Sequence, residues 1–123
     1  MNVNSMTHTV FEYLYRDAAN YKVYGALLLR GNFSEEYETE IKAHCEGTEY
    51  FVAEQLDIPA LCELLWAQSN GPSEDDHGWH EFICLRVAEV DEVKDLNEWG
   101  ALDDLLGRFR AAQKWDLNLS PNA

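Results

Sequence analysis

Apolar side chains cluster densely in two early runs of the chain. Residues 8–16, His-Thr-Val-Phe-Glu-Tyr-Leu-Tyr-Arg, concentrate aromatic and β-branched side chains and predict a strand. Val23 to Arg30, Val-Tyr-Gly-Ala-Leu-Leu-Leu-Arg, predicts a second, broken by Gly31-Asn32. Asp17 and Asn20 in the link between them supply turn chemistry, so the pair is expected to form a hairpin. The period then changes. Ser34 is a good N-cap, Glu35 and Glu36 complement the helix dipole, and Tyr37, Ile41 and Cys45 repeat at i, i+4 and i+8. This predicts a helix of about three turns stopping at Gly47.

Tyr50-Phe-Val-Ala53 is short and wholly apolar, which predicts a third strand in a central position. Asp57-Ile58-Pro59 breaks the chain, because a residue before proline is driven out of helical geometry. Residues 60–67 then fit either a short helix opened by Pro59 or a strand, and Ser69 to Ser73 is a loop by composition. His80 to Val87 predicts a further strand, and Asp91 to Asn97 a connection. From about Glu98, the positions Leu102, Leu105, Leu106, Phe109 and Ala112 mark one face of a last helix. Asp103 and Asp104 fall early in it, and Arg108, Arg110 and Lys114 late. The expected fold is α+β: a single domain over residues 1–123, with a mostly antiparallel sheet of about four strands and two or three helices on one face. Residues 1–7 and 118–123 are expected to be loose.

Composition narrows the class. With 46% hydrophobic and 12% aromatic residues among 123, the chain is too apolar for a disordered acidic segment and long enough to bury a core. No apolar run approaches the roughly 18 residues that cross a bilayer, and the first residues lack the pattern of a secretion signal. Three cysteines, Cys45, Cys62 and Cys84, make an odd count with no Cys-x-x-Cys pair. They are expected to be buried free thiols in a reducing cytoplasm rather than a disulfide set or a zinc site.

The net charge of −14 is unevenly placed. Between Ser34 and Asp104 there are 20 acidic residues and 3 basic ones, Lys42, Arg86 and Lys94, whereas both flanks are slightly positive. Such a field disfavours direct binding of nucleic acid or an anionic membrane and attracts a basic protein surface. The acids form three groups: Glu35, Glu36, Glu38 and Glu40 on the first helix; Asp75 and Asp76 in a loop; and Asp91, Glu92, Asp95, Glu98, Asp103 and Asp104 around the last. Their bland role is a solvated surface that aids solubility. Their sharper role is docking to a basic partner, with Trp66, Trp79, Trp99 and Trp115 as apolar anchors wherever they are exposed.

Two stretches could carry other chemistry. Glu74-Asp75-Asp76-His77-Gly78-Trp79-His80-Glu81 combines carboxylates and imidazoles, the donors of a divalent metal site with His77, His80 and Glu81 as ligands and a nearby acid as base. Against this, His80 and Glu81 alternate on a strand and face opposite sides. The bland alternative is an acidic loop entering a strand, with one histidine satisfied by a core hydrogen bond. Tyr15-Arg16-Asp17-Ala-Ala-Asn20-Tyr21-Lys22 could grip an anion, or Arg16 could pair internally with an acid of the middle segment. No Gly-x-Ser-x-Gly, Walker loop or Gly-x-Gly-x-x-Gly occurs, so no catalytic residue is assigned.

These two stretches, together with Phe51-Val-Ala-Glu-Gln-Leu-Asp-Ile-Pro59, resemble a family of small uncharacterised prokaryotic proteins over roughly residues 11–87. The resemblance implies no activity. The expected function is a cytoplasmic, acidic, non-enzymatic binding protein of the inhibitor, immunity or anti-defence kind that needs no cofactor. The alternative is a small enzyme or ligand-binding domain using a divalent metal. The sequence leaves the oligomeric state open.

Overall fold

The strand 8–16 is apolar on both faces of its pleat, and such a strand must be covered from both sides. Phe11, Tyr13 and Tyr15 point one way, Val10 and Leu14 the other, and all five are buried. In the computed structural model, which describes residues 8–16, 20–61, 78–112 and 114–116, this strand lies in the middle of the sheet. The elements run β1 (His8–Arg16), β2 (Lys22–Arg30), α1 (Glu35–His44), β3 (Tyr50–Phe51), a 3-10 turn (Ala53–Leu56), β4 (His80–Val87), α2 (Val90–Asp95), β5 (Glu98–Ala101) and α3 (Leu102–Ala111). The five-stranded sheet has the order β3-β4-β1-β2-β5. β1 is antiparallel to β2 over the whole register His8↔Arg30 to Arg16↔Lys22, and antiparallel to β4 from Thr9↔Val87 to Leu14↔Glu81. Among the described strands, only β5 is parallel to its neighbour, β2. The fold is α+β, with a mostly antiparallel sheet.

On one face the core is aromatic. Phe11 has the rings of Tyr13, Phe51, Phe82 and Phe109 around it, with centroids 5.1–6.1 Å away. Ile41 of α1 and Leu102, Leu105, Leu106 and Phe109 of α3 close this layer. Gly25 of β2 makes room for it, since a Cβ there would stand 2.9 Å from the Tyr13 ring. On the other face Val10, Leu28 and Ala88 form a smaller cluster under Leu96, at the end of α2.

Four expectations are corrected. Tyr50–Phe51 is a two-residue edge strand, not a central one; Val52, still extended, and Ala53, which opens the 3-10 turn, are buried beyond it outside the strand. The stretch 91–97, expected to be a connection, contains α2, which starts with the Glu92 carboxylate accepting the Glu89 N–H at 2.9 Å. Glu98–Ala101 is strand β5, so the last helix starts at Leu102. α1 ends with Cys45 as an extended cap, and the left-handed Gly47 (φ 59°) sits in the turn that follows. In α1 the stripe Tyr37, Ile41, Cys45 does face the core. Ala60 and Leu61 are irregular, whereas the rest of 60–67, the loop Ser69–Ser73 and both chain ends beyond 8 and 116 lie outside the described residues.

Candidate functional site

Strand directions decide where the acids lie. β1 starts, and β2 and β4 finish, at the end of the sheet marked by His8, Arg30 and Val87. α1 therefore begins there, just after Gly31. α2 follows directly from β4, and β5 runs parallel to β2 towards the same end before α3 begins. Leu102, the first residue of α3, lies against Gly31. At the far end Trp115 Nε1 donates to the His44 carbonyl at 3.2 Å, so α1 and α3 run in the same direction. The three α-helices among the described residues all start from one end of the sheet. Each carries acids in its first turn, where the dipole favours them. Glu35, Glu36, Asp91, Asp103 and Asp104 are thereby gathered at the His8 end, and all five are exposed, whereas Asp95 is the last residue of α2.

The other acids of the expected partner-binding set are committed internally. Glu40 receives Arg110 at 2.5 and 2.8 Å and lies 3.2 Å from His44 Nε2. Hydrogen bonding from Arg110 holds its carboxyl down at about 2. Glu92 receives a bidentate pair of bonds from Arg86 at 2.7 and 2.6 Å, which lowers its carboxyl to about 2, and Arg86 also binds Glu12. Glu38 accepts the Leu85 N–H at 3.0 Å. Asp75 and Asp76 lie outside the described residues.

The arginines share one pattern. Arg16 binds Glu81, Arg30 binds Glu98, Arg86 binds Glu12 and Glu92, Arg108 lies 3.7 Å from Asp57, and Arg110 binds Glu40. Every arginine of the chain thus ties one element to another and neutralises charge internally. The bases of the positive flanks compensate acids of the middle segment, and the exposed acids at the His8 end keep their field.

The 74–81 stretch is split by the pleat. His80 points into the core, 2% exposed, with its ring 5.3–6.1 Å from those of Tyr13, Tyr15 and Phe51. Its Nε2 accepts the Leu61 N–H at 3.0 Å, which requires a neutral ring carrying its proton on Nδ1. Glu81 lies on the opposite face, bound by Arg16 at 3.0 Å, and Arg16 also donates to Asn20 Oδ1 at 2.8 Å. His77 lies outside the described residues. Among the described residues, no three His, Cys, Asp or Glu side chains are grouped to hold a metal.

Sequence spacing gave no sign of a groove at the C-terminal end of α1. It has a volume of about 400 Å³ and is lined by His44, Cys45, Glu46, Trp79, Lys114 and Trp115. Burial raises the Cys45 thiol to about 12, so it is no nucleophile near neutrality. Cys84 is raised as well, by burial and by Glu12 and Glu38. Trp99 is covered by the Arg108 guanidinium, 5.5 Å from its ring, and donates to the Asp57 carbonyl. None of the described helices is long and apolar enough to cross a membrane. No family model, curated protein or solved structure matches the chain.

Proposed function

We propose that this chain is a non-enzymatic binding protein that covers a basic surface, of the kind that binds nucleic acid, on a partner protein. Inhibitor, immunity-like or anti-defence roles all fit this chemistry, in a reducing cytoplasmic setting. One observation carries the reading: five exposed carboxylates from the first turns of three helices lie at one end of the sheet, while the arginines are bound to other acids. A concentrated negative field steers association with a basic partner and makes it salt-sensitive.

The test is competition. Labelled DNA is bound to a panel of basic nucleic-acid-binding proteins, and its displacement by the chain is followed by fluorescence anisotropy at low and high salt. Displacement at low salt should be lost when Glu35, Glu36, Asp91, Asp103 and Asp104 are replaced together by their amides. Displacement that neither salt nor this variant alters would overturn the proposal.

A further inference from the structure

Among the described residues, the edge of β4 is paired with a strand over only part of its length. β3 pairs with it at Tyr50↔Glu81 and Phe51↔His80, and the Glu49 carbonyl takes the Phe82 N–H at 2.8 Å. Beyond that point, among the described residues, no strand lies beside residues 83–87 on this side. The register with β1 shifts between the Tyr13↔Phe82 and Glu12↔Cys84 pairs, which leaves Ile83 as an extra residue. After this bulge the Ala88 N–H points inward, to the His8 carbonyl, and the Leu85 N–H points outward. By strand alternation the Val87 N–H points outward too.

Leu85 meets a side chain where a neighbouring strand would offer a carbonyl. The Glu38 carboxylate of α1 accepts its N–H at 3.0 Å. The edge is therefore shaped for a strand, and one hydrogen bond of the missing ladder is made by a movable group. Ile83 and Val87 are both more than a third exposed along it, with Val90 beyond at 59%. The charge beside it is graded. Glu35 shares the Glu38 side of α1 one turn towards Val87, and Lys42 lies one turn the other way, close enough to Cys84 to act on its thiol. Glu89 and Asp91 follow Val87, both exposed.

We propose that residues 83–87 of β4 receive an extended segment of the basic partner as a sixth strand, with lysine or arginine side chains at the Val87 end. The inference rests on the basic-partner reading and specifies how such a partner attaches. Backbone hydrogen bonds supply affinity that is indifferent to sequence, and Glu35, Glu38 and Asp91 select for positive charge. A second copy of this chain is the weaker occupant, because each copy carries a net −14.

The test uses the full isotope-labelled chain and two short synthetic peptides, one alternating lysine with valine and one alternating glutamate with valine. The lysine peptide should shift the amide signals of residues 83–87 and slow exchange at Leu85 and Val87, whereas the glutamate peptide should not. Val87→Pro removes an outward N–H that meets no backbone acceptor among the described residues and should weaken the lysine peptide about tenfold, with an unchanged far-ultraviolet spectrum. Glu38→Gln keeps an acceptor for the Leu85 N–H but removes charge, and should weaken the lysine peptide several-fold. Binding that survives both variants and maps to Glu36, Asp103 and Asp104 would overturn strand addition and leave the basic-partner reading standing. Failure of the lysine peptide and of polylysine alike to bind at low salt would overturn both. A dimer abolished by Val87→Pro would show that a second copy, not a basic segment, occupies the edge.

Discussion

Replacing Arg86 with methionine should loosen α2 and scatter part of the acidic end. Arg86 stands between Glu12 of β1 and Glu92 of α2; of its three charge-assisted bonds, two tie α2 to β4 and the third ties β4 to β1. Its side chain is 36% exposed, so each bond is worth less than in a dry interior, about 0.5–1 kcal/mol. Loss of three such bonds, with two carboxylates left facing each other, sums to about 2 kcal/mol. An unfolding entropy near 2.1 cal/mol/K per residue over 123 residues makes this about 8 °C in Tm.

The assay is a double-mutant cycle of Arg86→Met and Glu92→Gln by urea denaturation, with an expected coupling of about 1 kcal/mol. The pH dependence adds a second check. Because Arg86 depresses the Glu92 carboxyl from its ordinary 4.5 to about 2, the pair contributes stability that is present above 4.5 and lost as pH falls towards 2. Arg86→Met should flatten that acid limb. Additive single variants, or an acid limb unchanged by Arg86→Met, would refute the reasoning.

Three further outcomes follow from the packing and the charges. Gly25→Ala should cost about 1–3 kcal/mol by denaturant titration, because the new Cβ meets the Tyr13 ring at 2.9 Å and Leu61 at 3.0 Å. His80→Phe should cost about 1–3 kcal/mol despite its similar bulk, since the Leu61 N–H loses its buried acceptor, and Tm measures it. Glu40 is likewise held at about 2, first by Arg110 and then by His44, so its stabilising contribution disappears as pH falls from 4.5 towards 2. Arg110→Gln should weaken that dependence in acid-unfolding curves, leaving the smaller contribution of His44.

Much of the frame was legible in the sequence. β1, β2, β4 and α1 follow from local apolar density, turn residues and the Ser34 cap, all of which act within a few residues. The opposed faces of His80 and Glu81 follow from the two-residue pleat alone. The internal use of Arg16 was legible as a general need for counter-charge, although Glu81 as its partner was not. Nothing local marked the groove between Trp79 and Trp115, whose walls come from distant parts of the chain.

The boundary between sequence and tertiary structure is clearest in three elements. Phe51 to Ala53 is apolar because it is buried, and burial against α3 looks the same in sequence as burial between strands. Glu98–Ala101 becomes a strand because β2 presents it with an open edge and Arg30 with a counter-charge, neither of which lies near it in the chain. α2 has little apolar periodicity, and Arg86 secures it from the neighbouring strand. The sequence by itself determined that the chain folds around an aromatic core and carries its acids in the middle. Only the tertiary structure decided that the first-turn acids of these helices lie at one end of the sheet, because strand direction, not spacing, sets where the helices begin.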